Sequence, residues 1–423
     1  MDEPTYSASI SASDPATVGG ARPPTVDRDQ LIETSSHDLL SAGAARLTSL
    51  DQLPTPSLVL DRGRMARNIE RMAARAAALG VPLRPHGKTP KSADVARQLE
   101  AAGAVGLTVS TLREAEYYSA AGFADLFYAV ALAPQKVGRV AALIRRGADI
   151  KCLVDHPDAA AGIAAAAAAA EITIPLVIEI DVDGYRTGIA PGSAFVELGR
   201  SIHAARATRL AGIMSYGGAS YNCTPEEAAD LAERHRLALV AAQAELHAAG
   251  LPCGMVSFGS SPAVMAARSM AGITELRCGI YVFQDLFQAA IGACGIEDIA
   301  LSVLSSVIAV RPDLNRIVID AGGMAMSKDL STSRTAHDAG YGLVCDARTG
   351  ALIEDVHVAA TSQELGLLAT FGGRPLPFDR LGIGEQVRIL PNHSDMTAAA
   401  YDEYAVVDGG NEIVARWHRQ NGW

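Results

Sequence analysis

From about residue 105 to residue 290 the chain alternates short apolar runs with longer helical ones, and this rhythm limits the fold more than any other feature. The apolar runs are Val105–Val109, Leu126–Ala129, Ile150–Val154, Leu176–Ile180, Leu210–Met214 and Met255–Phe258. Helical runs lie between them at Leu112–Ala121, Pro134–Arg146, Pro157–Ala170, Ala194–Ala205 and Pro225–Ala249. Short apolar strands that each hand over to a helix pack as a parallel sheet covered by helices. Close to eight such units fit before residue 297. The pattern therefore predicts an α/β chain built on a closed (β/α)8 barrel, in preference to an open doubly wound sheet.

After residue 297 the texture changes. Leu301–Val310, Arg316–Asp320, Gly340–Val344, Val356–Ala360, Gln386–Ile389 and Tyr404–Val407 read as strands separated by Gly, Pro and Asp turns, the pattern of a smaller, mainly β domain. Residues 1–28 are rich in Ser, Ala, Pro, Thr and Asp and predict a flexible leader. That leaves 29–296 for the barrel and 297–423 for the β-rich domain.

Hydrophobic residues make up 49% of the chain and charged residues 20%, the balance of a soluble globular protein. A net charge of -11 without a basic tract argues against a nucleic-acid partner. The longest apolar stretch, Ala159 to Ala170, is too short to cross a bilayer, and the N-terminus shows no basic region backed by an apolar core. The six cysteines have no C-x-x-C spacing and read as reduced thiols of a cytoplasmic protein.

The stretch Leu83-Arg84-Pro85-His86-Gly87-Lys88-Thr89-Pro90-Lys91 sits where an early barrel strand runs out into a loop. A basic surface turn is the ordinary reading of such a lysine. At the end of a barrel strand, however, an amine projects into the barrel mouth, and partial desolvation favours its attack on a carbonyl. His86 and Lys88 alternate onto one side of the strand. Val256-Ser257-Phe258-Gly259-Ser260-Ser261-Pro262 leaves a later strand for a helix, with hydroxyls and free N–H groups suited to a phosphate. Glu179-Ile180-Asp181-Val182-Asp183-Gly184-Tyr185-Arg186 and Ser215-Tyr216 end two further strands on the same side, and a salt bridge from Arg186 to Asp181 or Asp183 is the competing reading there. Near the C-terminus, His393 and Asp395 alternate on an extended segment, so imidazole and carboxylate converge on one cation.

Taken together, Arg84-Pro85-His86-Gly87-Lys88-Thr89, the Gly-Ser-Ser turn and Pro391-Asn392-His393-Ser394-Asp395-Met396-Thr397 resemble the alanine-racemase-like, fold-type III enzymes that use pyridoxal phosphate (PLP). Within them the likeness is to the D-threonine aldolase and D-serine dehydratase branch, from about Leu53 to the C-terminus. The chain departs from that branch at Pro90, where a histidine is usual, and at Ser362-Gln363-Glu364-Leu365, where a Glu-His pair is frequent.

The resemblance implies that Lys88 links PLP and serves as base at the substrate α-carbon, with His86 in support. It places Arg186 at the pyridine nitrogen, Tyr216 beside the ring with Tyr221 as a weaker candidate, and Gly259, Ser260, Gly279 and Tyr281 at the phosphate. His393 and Asp395 then hold a divalent metal, Mn²⁺ or Mg²⁺ before Zn²⁺, because a carboxylate suits the harder ions where a thiolate would favour zinc. The implied activity is D-threonine aldolase-type cleavage of D-β-hydroxy-α-amino acids to glycine and an aldehyde, because the resemblance gives aldolases an aspartate at position 395 where dehydratases tend to carry cysteine. The alternatives are D-serine or D-3-hydroxyaspartate dehydration and, behind them, amino-acid racemisation. A small-molecule D-amino acid as partner and a homodimer complete the expectation.

Overall fold

The computed structural model describes residues 48–184 and 186–423, so the leader expected over 1–28 and the first residues assigned to the barrel lie outside the described residues. A strand β1 (Ser57–Asp61) leads straight into the helix Arg62–Leu79. Asp61 caps that helix by accepting the Arg64 N–H, and Gly80 ends it in the left-handed region at φ 68°. Met65, Ile69, Met72 and Ala76 recur at helical spacing and form its buried face.

Seven parallel strands then follow in chain order: β2 (Leu107–Val109), β3 (Asp125–Ala131), β4 (Asp149–Val154), β5 (Ile174–Glu179), β6 (Thr208–Tyr216), β7 (Met255–Gly259) and β8 (Glu275–Leu276). Every residue of β5 and β7 is buried, as expected for strands covered on both faces. The helices between them bury one stripe each. Pro157–Ala169 does so with Ala160, Ile163 and Ala167, and Pro225–Ala248 starts from a Thr224–Glu227 capping box.

The barrel closes through Leu83–His86, which bridges β8 and β2: Leu83 pairs with Leu276 and His86 with Thr108, both parallel. The Arg84 and His86 N–H groups donate to the carbonyls of Leu276 and Cys278, at 2.8 and 2.7 Å. On the other side Thr108 donates to Pro85 and Gly87 donates to Thr108, at 2.8 and 2.7 Å. The eighth stave is thus the segment that carries Lys88 at its C-terminal end.

Arg84 locks the seam from inside. It is only 4% exposed, and its guanidinium spans Glu275 on β8 and Asp125 on β3, with three contacts of 2.8–3.0 Å. Gly106 lets it through, because a Cβ there would sit 2.2 Å from its Nη1.

The second sheet holds β9 (Leu301–Arg311), β10 (Arg316–Ile319), β11 (Leu343–Asp346), β12 (Leu352–Thr361), β13 (Gly366–Thr370), β14 (Gln386–Leu390), β15 (Glu403–Val407) and β16 (Ala415–His418). Its order is β10-β13-β12-β11-β14-β9, and β9 pairs again with β10, so six antiparallel strands form a closed ring. From β9 the sheet continues through β1, β15 and β16. A boundary at 296/297 therefore needs one correction: β1, expected in the barrel part of the chain, lies between β9 and β15. Its apolar Leu58-Val59-Leu60 fits either sheet, and only the long-range pairing decides.

Candidate active site

Lys88 follows the seam strand in a tight turn, half-buried, at the mouth of the barrel. The turn is propped from below by Tyr118, a fully buried ring whose hydroxyl donates to the Gly87 carbonyl at 2.9 Å. Gly87 permits that approach, since a Cβ would lie 2.6 Å from Tyr118 Cε2. The Lys88 ammonium has no carboxylate within ion-pair distance among the described residues. His86, beside it, accepts the Lys88 backbone N–H through Nδ1 at 3.4 Å, and its Nε2 lies 3.3 Å from Ser110 Oγ. Burial, with the charges of Lys88, Arg277 and Arg186 behind it, holds the His86 pKa well below the usual imidazole value, so the ring is neutral at physiological pH.

A cavity of about 370 Å³ opens above this turn. Barrel strand ends supply His86, Lys88, Tyr216, Tyr221, Ser260, Ser261, Arg277 and Gly279, and the later part of the chain supplies Asp329, Arg334, His393 and Asp395. Lys88, His393 and Asp395 thus share one pocket. Thr89 Oγ1 ties its two halves by donating to Asp395 Oδ2 at 3.2 Å.

The residues present fit PLP. Lys88 supplies an amine inside the cavity, and the Ser260–Ser261 corner supplies hydroxyls, of which Ser261 Oγ is buried without a partner. Gly279 leaves room there, because a Cβ would lie 3.0 Å from His86 Cβ. Gly259 lies behind the wall, where a Cβ would meet the Arg277 carbonyl at 2.3 Å. Tyr281 is 1% exposed and does not line the cavity, yet its hydroxyl also lacks a partner. Arg186 lies beside the cavity, its guanidinium 4.9 Å from the centroid of the Tyr216 ring. Neither Asp181 nor Asp183 pairs with it. Asp181 accepts the Gly184 N–H, and Asp183 binds His235 at 2.7 Å with Arg234 at 3.7 Å.

The His393 segment differs from its expected form. His393 is extended, but Ser394–Ala398 is a short helix, so Asp395 sits in a first helical turn. The Ser394 N–H donates to Asp285 at 3.1 Å, which anchors this turn. Both side chains still reach the cavity.

Their surroundings suit a cation. Burial lowers the His393 pKa, but Asp329, 3.6 Å away, and the charges of Asp395 and Asp285 outweigh it and lift the value to about 9. Burial raises Asp285 to about 7 against the pull of His393. Asp395 Oδ1 is buried and unpartnered. Among the described residues no three His, Cys, Asp or Glu side chains form a metal-ligand cluster.

Among the cavity residues that sequence reasoning did not single out are Arg277, Asp329, Arg334 and Gln288. Arg277 is 5% exposed and held by Ser257 Oγ at 2.7 Å and the Ser215 carbonyl at 2.8 Å. Its place directly after β8 was the available signal. Asp329, Arg334 and Gln288 lie in irregular or very short elements without a motif, so nothing local marks them.

The comparisons agree with this architecture. Residues 60–286 match the alanine racemase N-terminal domain, and residues 300–407 match a serine dehydratase domain. The chain is 44% identical over 376 residues to D-threo-3-hydroxyaspartate dehydratase of Delftia sp. (strain HT23), covering 88% of this chain and 98% of that one. A structure titled as a cysteine-to-alanine variant of a D-threo-3-hydroxyaspartate dehydratase in the metal-free form superposes with a TM-score of 0.86 at 43% identity, over 89% of this chain and 100% of that one. D-serine dehydratase of Dictyostelium discoideum is 28% identical over 88% of this chain and 98% of its own. D-threonine aldolase from Filomicrobium marinum is 29% identical with a TM-score of 0.74, over 89% of this chain and 98% of that one. With the barrel lysine, the antiparallel second domain and these matches in hand, the chain belongs to the fold-type III PLP family of alanine-racemase-like lyases, in the branch that contains the D-3-hydroxyaspartate and D-serine dehydratases and D-threonine aldolases.

Proposed function

We propose that this chain dehydrates a D-3-hydroxyaspartate-type amino acid, releasing ammonia and a keto acid. The observation that carries the reading is the shared cavity of Lys88, His393 and Asp395, in a chain 44% identical to a D-threo-3-hydroxyaspartate dehydratase along 98% of that protein. This replaces the aldolase outcome as the first reading, since the matched aldolase is more distant.

PLP, when bound, supplies an electron sink that weakens the bonds at the substrate α-carbon. Lys88 Nζ, free of ion pairs and facing the cavity, takes the α-proton. His86 stays neutral beside it and so adds no positive charge that would oppose proton uptake by the amine. His393 and Asp395 would hold the cation, Mn²⁺ or Mg²⁺ before Zn²⁺, and that ion supplies Lewis acidity toward a β-hydroxyl. Arg186, Tyr216, Ser260 and Gly279 keep their expected cofactor roles within this proposal, while Gly259 and Tyr281, which do not line the cavity, back its wall. The homodimer belongs to it as well and is checked by light scattering.

Retro-aldol cleavage keeps one specific observation. Residue 395 is a carboxylate, the type the family resemblance associates with aldolases, where dehydratases tend to carry cysteine. Product analysis separates the two readings. Enzyme loaded with PLP and Mn²⁺ is given D-threo-3-hydroxyaspartate, D-serine and D-threonine. Ammonia with a keto acid supports the proposal, and glycine with an aldehyde overturns it. Lys88→Ala should abolish both the reaction and the absorbance of lysine-bound cofactor.

A further inference from the structure

We propose that Arg334 and Gln288 form a subsite for a second carboxylate, selecting hydroxyaspartates over D-serine and D-threonine. The inference rests on the dehydratase reading above and names the residues that give it its substrate class.

Gln288 is 1% exposed and lines the cavity, yet its side-chain amide has no partner among the described residues, and Oε1 is buried and unsatisfied. The amide's N–H groups are the part a carboxylate can accept from, while Oε1 calls for a donor, which a substrate hydroxyl supplies. Arg334 lines the same cavity, is exposed to it, and makes no ion pair among the described residues. The two side chains come from elements in contact, the helix Leu286–Ala290 and the turn Ser331–Arg334.

The other cations of the cavity are committed. Arg277 is held by Ser257, Met214 and Ser215, and His393 lies 3.6 Å from Asp329. Lys88 is the reacting amine of the proposed mechanism. Among the described residues that line the cavity, Arg334 is the cation left to meet an added negative charge; Arg186 stands beside the cavity over Tyr216.

Substrate chemistry places that charge on the same side. In 3-hydroxyaspartate the hydroxyl and the second carboxylate share the β-carbon, so a site that gathers the hydroxyl at His393 and Asp395 brings the carboxylate beside it. Asp329, which contacts His393, lies on the segment that continues to Arg334, and its Oδ1 accepts the Ser331 N–H at 2.8 Å. Without a cation at 334 the carboxylates of Asp329 and Asp395 would repel the second carboxylate of the substrate. A planar guanidinium pairs a carboxylate bidentately, and the amide adds an N–H. D-serine and D-threonine have nothing to offer this pair.

The test compares Arg334→Gln, Arg334→Lys and Gln288→Leu with the unaltered PLP-loaded enzyme. The reading is the ratio of kcat/KM for D-threo-3-hydroxyaspartate to that for D-serine. Arg334→Gln should lower the ratio about 100-fold and Gln288→Leu about 10-fold, with Arg334→Lys restoring part of the loss. Calorimetry provides a readout without turnover: Arg334→Gln should weaken succinate binding at least 10-fold and leave butyrate binding unchanged. A ratio or a succinate affinity that stays the same in Arg334→Gln overturns the subsite. If the unaltered enzyme cleaves D-threonine and leaves hydroxyaspartate intact, the dehydratase reading falls, and the succinate comparison still decides the role of Arg334.

Discussion

Thr89 Oγ1 donates to Asp395 Oδ2 across 3.2 Å, joining the residue after Lys88 to one 306 positions later in the chain. Thr89 is fully buried and Asp395 partly so, which puts the bond at the edge of the cavity. It orients one Asp395 oxygen and leaves the other, Oδ1, aimed elsewhere without a partner. Thr89→Val keeps the shape and removes the donor. Affinity for Mn²⁺, titrated into metal-free enzyme, should fall roughly tenfold, while the lysine-bound cofactor absorbance stays as it was. Unchanged metal affinity would show that the bond does not orient a ligand.

Gly87 is a second pressure point. Its backbone is accessible to any residue, but an added methyl would meet the buried Tyr118 ring at 2.6 Å. Gly87→Ala should therefore push the Lys88 turn out of place. We expect about 1–3 kcal/mol of lost stability and at least tenfold weaker PLP binding, read by thermal unfolding and cofactor titration. Native behaviour in both would mean that the turn moves freely.

The seam depends on charges out of water. Glu275 accepts from Arg84 at 2.8 Å and from Ser257 Oγ at 2.8 Å, and Arg84 is 4% exposed. Glu275→Ala leaves a buried guanidinium short of one partner and should cost about 3 kcal/mol in urea unfolding. Glu275→Gln keeps the shape and one acceptor and should cost less. A loss below about 1 kcal/mol for the alanine variant would place the closure energy in the backbone bonds instead.

His235 links stability to pH. The buried ring bridges Asp183 and Ser215 Oγ, at 2.7 and 3.0 Å. Burial lowers its pKa below the ordinary 6.5, and the opposing pull of Asp183 does not cancel the effect. Below about pH 6.5 the unfolded chain takes a proton at this position that the folded chain refuses. Stability should be level above that value with respect to His235, then fall as pH drops, by up to ~1.4 kcal/mol per pH unit for one proton. Unfolding free energies of the unaltered protein and His235→Gln, measured from pH 5 to 8, should differ in slope only on the acid side. Parallel curves would refute the assignment.

The barrel was legible because its strands are uniformly apolar and its helices are long. Ile150–Val154 and Leu176–Ile180 each fall within a residue or two of β4 and β5. Where pairing over long distance decides, sequence reading failed. β1 is as apolar as a barrel strand but joins the other sheet, and β13 and β16 were not anticipated because each is short and flanked by turns. The same divide runs through the site. Lys88, His86, His393 and Asp395 stand in compact motifs, and all four line the cavity. Asp285, Asp329, Gln288 and Arg334 acquire meaning only once the second domain folds over the barrel mouth, and no local pattern announces that. Even the His393–Asp395 pair reached the cavity by a route other than strand alternation, through a helix start.

Barrel closure between Leu83–His86 and β8 also has a bearing on biosynthesis. Arg84 and Glu275 are 191 residues apart, so the ribosome must release β8 before the seam can form at all. Until then the stretch that carries the Lys88 amine can pair on its β2 edge alone, through Thr108. Stable capture of cofactor should accordingly wait until roughly two-thirds of the chain has been made, since β8 ends at residue 276 of 423.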